Sequence, residues 1–258
     1  MSHTTENLER NTIKREAVHK EESDLKTVKE TISENYGNTT RDVTKPKIRY
    51  LNFDRIDSKT YAGKRFLDLT VSLFASLAFV ILFPIIALGI KLNSRGPVLF
   101  KQRRTGQNGI EFFCYKFRTM HFYDVRRYDG KPVVTEKNDN RIFWFGKLLR
   151  KTNLDELPQI INVFKGEMSL IGPRPYPVQE CAYWNNTFDD FFYRYKVKPG
   201  VSGLAQVNGF RGGTLDVELM RKRLDYDLIY VQKQSFWLDV KILFRTFSKL
   251  VNMNKDAH

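Results

Sequence analysis

The sequence predicts a predominantly helical α/β fold held at a membrane. Three observations carry this. Residues 69–90 form an apolar run without a charge. Residues 92–258 mix short strand-like and helical pieces between dense turn signals. Residues 235–251 place apolar and charged side chains on different sides of a helical wheel.

The chain has 258 residues, enough for one ordinary domain with extensions. Lys and Arg outnumber Asp and Glu 43 to 29, so the net charge is +14. Such an excess implies an acidic partner: nucleic acid, anionic lipid or a phosphorylated small molecule. Cys114 and Cys181 lie far apart without metal-like spacing, which predicts reduced thiols in a cytosol-facing protein. The four His show no zinc spacing. The first residues are polar, so no cleavable secretory signal is expected.

Residues 1–48 read as a polar, flexible tail. They hold nine basic and nine acidic residues and one aromatic, Tyr36. Such a stretch buries too little apolar surface to offset its ordering entropy.

The apolar run, "LTVSLFASLAFVILFPIIALGI", has 22 residues. As a straight helix it would be roughly 33 Å long, enough for a bilayer core of about 30 Å. Pro84 interrupts it about two-thirds along, where a proline removes a backbone hydrogen bond and bends a helix. Both flanks are basic: Lys59, Lys64 and Arg65 before it, and Lys91, Arg95, Lys101, Arg103 and Arg104 after it. Positive flanks mark the cytoplasmic side. A helix broken at Pro84 keeps both flanks there; a straight span, which also tolerates proline, does not. Sequence physics leaves both topologies open.

In the globular part, "PVLFKQ" and "EFFCYKF" read as strands paired across Gly106 to Gly109. Helical pieces are predicted at 142–151, 155–165, 178–195 and 215–232. The end, "SFWLDVKILFRTFSKLV", is amphipathic. It reads either as a helix packed on the domain or as one lying among lipid headgroups, aromatics below and cations above.

"LRKTNLDELPQ", 148–158, sets Asp155 beside Glu156 just before Pro158. One reading is capping, with Asp155 as N-cap and Glu156 complementing the helix dipole. The other is chemical. Neighbouring helical residues point about 100° apart, so the two carboxylates divide labour: one holds a divalent cation and the other attacks phosphorus. Mg²⁺ suits this, since it takes one or two carboxylates plus phosphate oxygens. Lys116 and Arg118 in "YKFRTM", Arg150, and Arg174 between the prolines of "GPRP" supply cations for phosphate oxygens. "KPGVSGLAQVNGFRGG" offers tight turns but lacks P-loop order. No helix-turn-helix, RRM or zinc signature appears, and the cations beside the apolar run fit anionic lipid, so no nucleic-acid partner is expected.

"KRFLDL", "SRGPVLFKQRRTGQNG", "YKFRTM", "LRKTNLDELPQIINVFKGEMSLIGPRP", "KPGVSGLAQVNG" and "SFWLDVKIL" occur in this order. Together they resemble the bacterial sugar transferases, monotopic polyprenyl-phosphate phosphoglycosyl transferases that initiate surface glycan synthesis. The resemblance covers about residues 59–250. It implies a domain at 59–258 with a re-entrant membrane helix at 66–92 broken at Pro84, interfacial amphipathic helices and a small cytoplasmic catalytic domain at the bacterial inner membrane. It also implies transfer of a sugar 1-phosphate from a UDP-sugar to a polyprenyl (undecaprenyl) phosphate, with release of UMP and a need for Mg²⁺. Asp155 would be the nucleophile of a covalent phosphosugar intermediate, and Glu156 the metal ligand. Lys116, Arg118, Arg150 and Arg174 would bind the substrate's phosphates or nucleotide. Three departures stand out: "DNRIF" ends in Phe143, Asn153 stands where a serine is usual, and Arg211 is shifted by one in "NGFRG". A homodimer, the sugar and the tail's role stay open. The competing class is a membrane-anchored basic scaffold that binds anionic lipid or nucleic acid without turnover; UMP release separates the two.

Overall fold

The apolar run folds as one helix, α1 (Lys64–Asn93), in a computed structural model that describes residues 60–121, 135 and 139–252. The predicted tail at 1–48 lies outside the described residues. Along α1, Lys64, Asp68 and Ser72 are buried at four-residue spacing, as are Ile86 and Ile90 further on. Between and around them Leu73, Phe74, Leu77, Val80, Ile85 and Leu88 are all at least 62% exposed. A helix of a soluble core buries such side chains, so α1 has the composition and exposure of a helix that lies in lipid. Helical backbone runs from Lys64 to Asn93 with Pro84 inside it, so the bend expected there does not end the helix. Proline removes a single N–H, and the helical backbone continues on either side of it.

Both ends of α1 pack on the same domain. At its start, the Lys64 ammonium pairs with Asp239 and donates to the Ile171 carbonyl at 2.9 Å and to the Tyr230 hydroxyl at 3.3 Å. Asp68 accepts from Ser169 Oγ and the Leu170 amide at 2.9 and 3.0 Å. Arg65 donates to the Val163 and Phe164 carbonyls. At its far end, Ile86 and Ile90 pack with Phe117, Phe143 and Leu149. Gly89 allows this approach, because a Cβ there would sit 2.5 Å from the Phe145 ring.

The domain begins with an antiparallel hairpin. β1 (Leu99–Thr105) and β2 (Glu111–Phe117) pair from Leu99↔Phe117 to Thr105↔Glu111, as the sequence predicts. Next come α2 (Trp144–Lys151), a 3₁₀ turn (Leu154–Gln159), α3 (Ile160–Lys165) and β3 (Ser169–Ile171). After α4 (Val178–Thr187) and a second 3₁₀ turn (Phe191–Lys196), β4 (Gly200–Ser202) pairs parallel to β3. The chain closes with α5 (Leu204–Val207), α6 (Val217–Lys233) and α7 (Phe236–Asn252).

Two predicted helices are divided. The 155–165 piece starts as a 3₁₀ turn, because Pro158 has no N–H to give an α-type bond. The 178–195 piece stops where Phe188 turns extended and buries itself against Trp184. The β3–β4 pair was not predicted. Its strands are three residues each, and a Cβ on Gly200 would meet the Gly172 amide at 2.1 Å.

The largest core cluster, with Trp184, Phe188, Phe191, Tyr195, Leu224 and Leu228, joins α4, the second 3₁₀ turn and α6. α7 packs on the domain, the first of the two readings of its sequence, and leaves an apolar side uncovered. Asp239 and Ile242 are buried against the domain, while Trp237, Phe244 and Phe247 point outward, 66–77% exposed.

Because Asp239 neutralises a buried ammonium, removing it alone strands that charge. Asp239→Ala is expected to cost about 3–5 kcal/mol, whereas Lys64→Met with Asp239→Leu recovers most of the loss. Thermal unfolding in detergent micelles checks both.

Candidate active site

Four elements bring the candidate side chains together. Lys116 stands on β2, Arg150 in the last turn of α2, Asp155 and Glu156 on the first 3₁₀ turn, and Arg174 just after β3. Asn162, fully buried on α3, holds β2 in place: its Oδ1 accepts from the Tyr115 amide and its Nδ2 donates to the Phe113 carbonyl. Asn153 adopts the left-handed conformation, φ 57°, that Asn tolerates better than most residues. It ends α2, and its carbonyl accepts from the Glu156 amide at 3.2 Å to start the 3₁₀ turn. Asp155 is therefore not the N-cap. The left-handed Asn153 takes that position, without a side-chain cap, and both acids fall in the first turn.

The two carboxylates are treated differently. Glu156 Oε1 accepts from Lys116 Nζ at 2.6 Å and from Arg174 Nη2 at 2.7 Å, with Arg174 Nη1 3.3 Å from Oε2. Among the described residues, no hydrogen bond or ion pair engages the Asp155 carboxylate, although it is buried. Burial opposes ionisation of Glu156, but Arg174 and Lys116 outweigh it and hold this carboxyl well below its usual range. For Asp155, burial and then the neighbouring Glu156 charge push the carboxyl up, against the pull of Lys116, Arg150 and Arg174. Burial lowers Lys116 despite Glu156. Arg174 is raised, chiefly by Glu156.

The cations differ in what holds them. Arg150 donates through Nε to Thr119 Oγ1 at 2.8 Å, and its field reaches Asp155. The Arg174 carbonyl accepts from Arg194 Nη2 at 2.6 Å, and Arg104, also buried, donates to the Pro175 carbonyl beside it. The stiffness expected of Pro-Arg-Pro is thus reinforced by two buried guanidinium groups. Arg118 is not brought to the pair. It donates to the Pro97 carbonyl and to Ser94 Oγ and carbonyl, closing the loop after α1. Arg211 was noted only as displaced, yet it donates to Asn153 Oδ1 at 3.1 Å and its charge is felt at Glu156 and Asp155.

A profile described as bacterial sugar transferase matches residues 59–253. The chain belongs to this family. Among family relatives, a protein named UDP-glucose:undecaprenyl-phosphate glucose-1-phosphate transferase from Xanthomonas campestris pv. campestris is 45% identical over 179 residues, 67% of this chain and 36% of the relative. A protein of the same name from Caulobacter vibrioides is 43% identical over 189 residues, 73% of this chain and 69% of the relative. An Aeromonas hydrophila protein named UDP-N-acetylgalactosamine-undecaprenyl-phosphate N-acetylgalactosaminephosphotransferase is 37% identical over 188 residues, 73% of this chain and 43% of the relative. The chain thus spans well under half the length of the first and third.

Sequence reading missed the buried supports of this family member's site, Arg104, Arg194 and Arg223. A lone basic residue carries no mark of burial. A weak signal exists for Arg223 and Asp227, which stand four apart on α6 among apolar neighbours.

The unequal environments predict two separated titrations. Carboxyl ¹³C NMR should show Asp155 titrating above its ordinary 3.8 and Glu156 below its ordinary 4.5. Lys116→Met removes a positive charge, so the Glu156 midpoint should move up.

Proposed function

We propose that this protein transfers a sugar 1-phosphate from a UDP-sugar to a polyprenyl phosphate at the cytoplasmic face of a bacterial inner membrane. One observation carries the reading: a buried carboxylate, Asp155, without a hydrogen-bond or ion-pair partner among the described residues, beside a carboxylate clamped by two cations, Glu156. An unpaired carboxylate in a field of Lys116, Arg150 and Arg174 remains available as a nucleophile while phosphate anions are drawn to it.

In the first half-reaction an Asp155 carboxylate oxygen attacks the sugar-bearing phosphorus. The bond from that phosphorus to the UMP oxygen breaks, and UMP leaves with the electron pair. Lys116, Arg150 and Arg174 offset the charge gathering on the phosphates. In the second, a phosphate oxygen of the polyprenyl phosphate attacks the same phosphorus and releases the Asp155 carboxylate. The product is a polyprenyl diphosphosugar.

The donor set fits Mg²⁺. Two adjacent carboxylates supply hard oxygen ligands, and no larger His/Cys/Asp/Glu cluster occurs among the described residues. Glu156 would hold the ion, leaving Asp155 free to attack. Mg²⁺, when bound, neutralises diphosphate charge.

The placement of α1 supports re-entry rather than a span. Both its ends pack on one domain, which favours two flanks on one side, where a soluble donor and an embedded acceptor would both reach Asp155. The outward aromatics of α7 suit a headgroup layer beside it. UDP-glucose, the donor in the names of two relatives, is the first to test.

With UDP-glucose, other UDP-sugars, Mg²⁺ and undecaprenyl phosphate, Asp155→Asn is expected to lower turnover roughly a thousandfold or more. A phosphosugar adduct should be trapped on wild-type Asp155 by mass spectrometry; retained turnover in the variant would remove the nucleophile assignment. Glu156→Gln should weaken the dependence on Mg²⁺, and an unchanged metal titration would remove its metal role. Cysteines placed at Ala62 and Arg95, both exposed, should react from the same side of sealed vesicles, since native Cys114 and Cys181 are buried. Opposite-side reactivity would mean a straight span.

A further inference from the structure

Behind the acidic pair, α6 carries two charged residues one turn apart and nearly inaccessible, Arg223 and Asp227, each 2% exposed. Asp227 pairs with Arg194, 2.7 Å away and equally buried. The Arg194 guanidinium lies over the rings of Tyr176 and Phe191, 4.4 and 5.0 Å from their centroids. Its Nη2 donates both to Asp227 and, at 2.6 Å, to the Arg174 carbonyl. Arg223 repeats the pattern on the glycine-rich loop. Its Nη1 donates to the Gly212 carbonyl and its Nη2 to the Arg211 carbonyl, each at 2.6 Å.

Each buried arginine thus holds the backbone of another arginine whose side chain points to the acidic turn. Arg174 reaches Glu156, and Arg211 reaches Asn153, two residues before Asp155. Buried ion pairs are poor stabilisers compared with apolar packing, so stability alone is a weak reason for three charges here. The fork of a guanidinium, unlike an ammonium, can span two acceptors at fixed spacing.

We propose that Arg194, Asp227 and Arg223 are positioning residues, and that α6 sets Arg174 and Arg211 as two independent grips on the donor's diphosphate. This rests on the transferase reading, and it adds Arg211 to the phosphate-binding set. The residues act in two arms. Arg194 with Asp227 works through Arg174. Arg223 works through Arg211. Neither arm touches the reacting atoms from behind.

Double-mutant cycles test this. The readouts are kcat/KM for the UDP-sugar and, independently of turnover, UDP affinity by calorimetry. Arg194→Lys and Arg223→Lys should each reduce both by roughly tenfold or more, with the melting temperature changed by a few degrees at most. In an Arg174→Ala background, Arg194→Lys should add little; in an Arg211→Ala background, Arg223→Lys should add little. Crossed pairs, Arg194→Lys with Arg211→Ala and Arg223→Lys with Arg174→Ala, should multiply. Multiplicative losses within an arm, or unchanged UDP affinity in both lysine variants, would overturn the proposal. If Arg194→Lys does not fold, Asp227→Asn and the Arg223 arm give the same comparison. UDP binding without turnover on any UDP-sugar would remove the parent reading and leave the cycles readable; no UDP binding at all would overturn both.

Discussion

The buried pair between Lys64 and Asp239 is the constraint on which the rest of the structure depends. Lys64 begins the apolar helix, and Asp239 lies in the first turn of the last helix. Tyr61 and Tyr230 complete the carboxylate's hydrogen bonds at 2.8 Å each, and the Ile171 carbonyl takes a further bond from the ammonium. A charged pair removed from water needs such full satisfaction to persist. Because Ile171 ends β3, the same knot fixes the strand that leads into Pro173-Arg174-Pro175. Apolar helix, core strand and site arginine are tied at one point.

The acidic pair shows how adjacency in sequence becomes division of role. Glu156 and Asp155 share one short turn and one cationic field, yet among the described residues the side-chain hydrogen bonds go to Glu156 alone. The difference follows from the 3₁₀ turn, which points the two side chains apart, and from β2 and the segment after β3, which bring Lys116 and Arg174 to one side. Two carboxylates in equivalent surroundings would compete for the same cations. Here one is held ionised by its partners, while burial and its neighbour's charge raise the other.

Much of this was legible in the sequence, for definable reasons. The α1 run, the hairpin and α7 have strong periodic signals, and the structure contains each. Asp155, Glu156, Lys116, Arg150 and Arg174 could be grouped because their motifs recur in order, and the fold brings them to one place. Arg118 could not be separated from Lys116 in "YKFRTM", since residues two apart share a face of a continuing strand, whereas β2 ends at Phe117 and Arg118 leaves it. Its contacts are with Ser94 and Pro97. The 3₁₀ start at Leu154 was misread because a left-handed Asn153 is a backbone fact, and its side chain alone also fits a cap. The β3–β4 pair is set by glycine crossings between distant residues, which no local pattern announces.

The separation of Lys64 from Asp239 also has a meaning in time. They stand 175 residues apart in the chain. At a synthesis rate of about 5–20 residues per second, roughly 10–35 s pass between the emergence of one and of the other. For that interval the apolar helix has left the ribosome while the carboxylate that secures its first turn does not yet exist. In the proposed membrane arrangement, the last helix acts as a latch that closes on α1 only after α1 has had that interval to meet the bilayer.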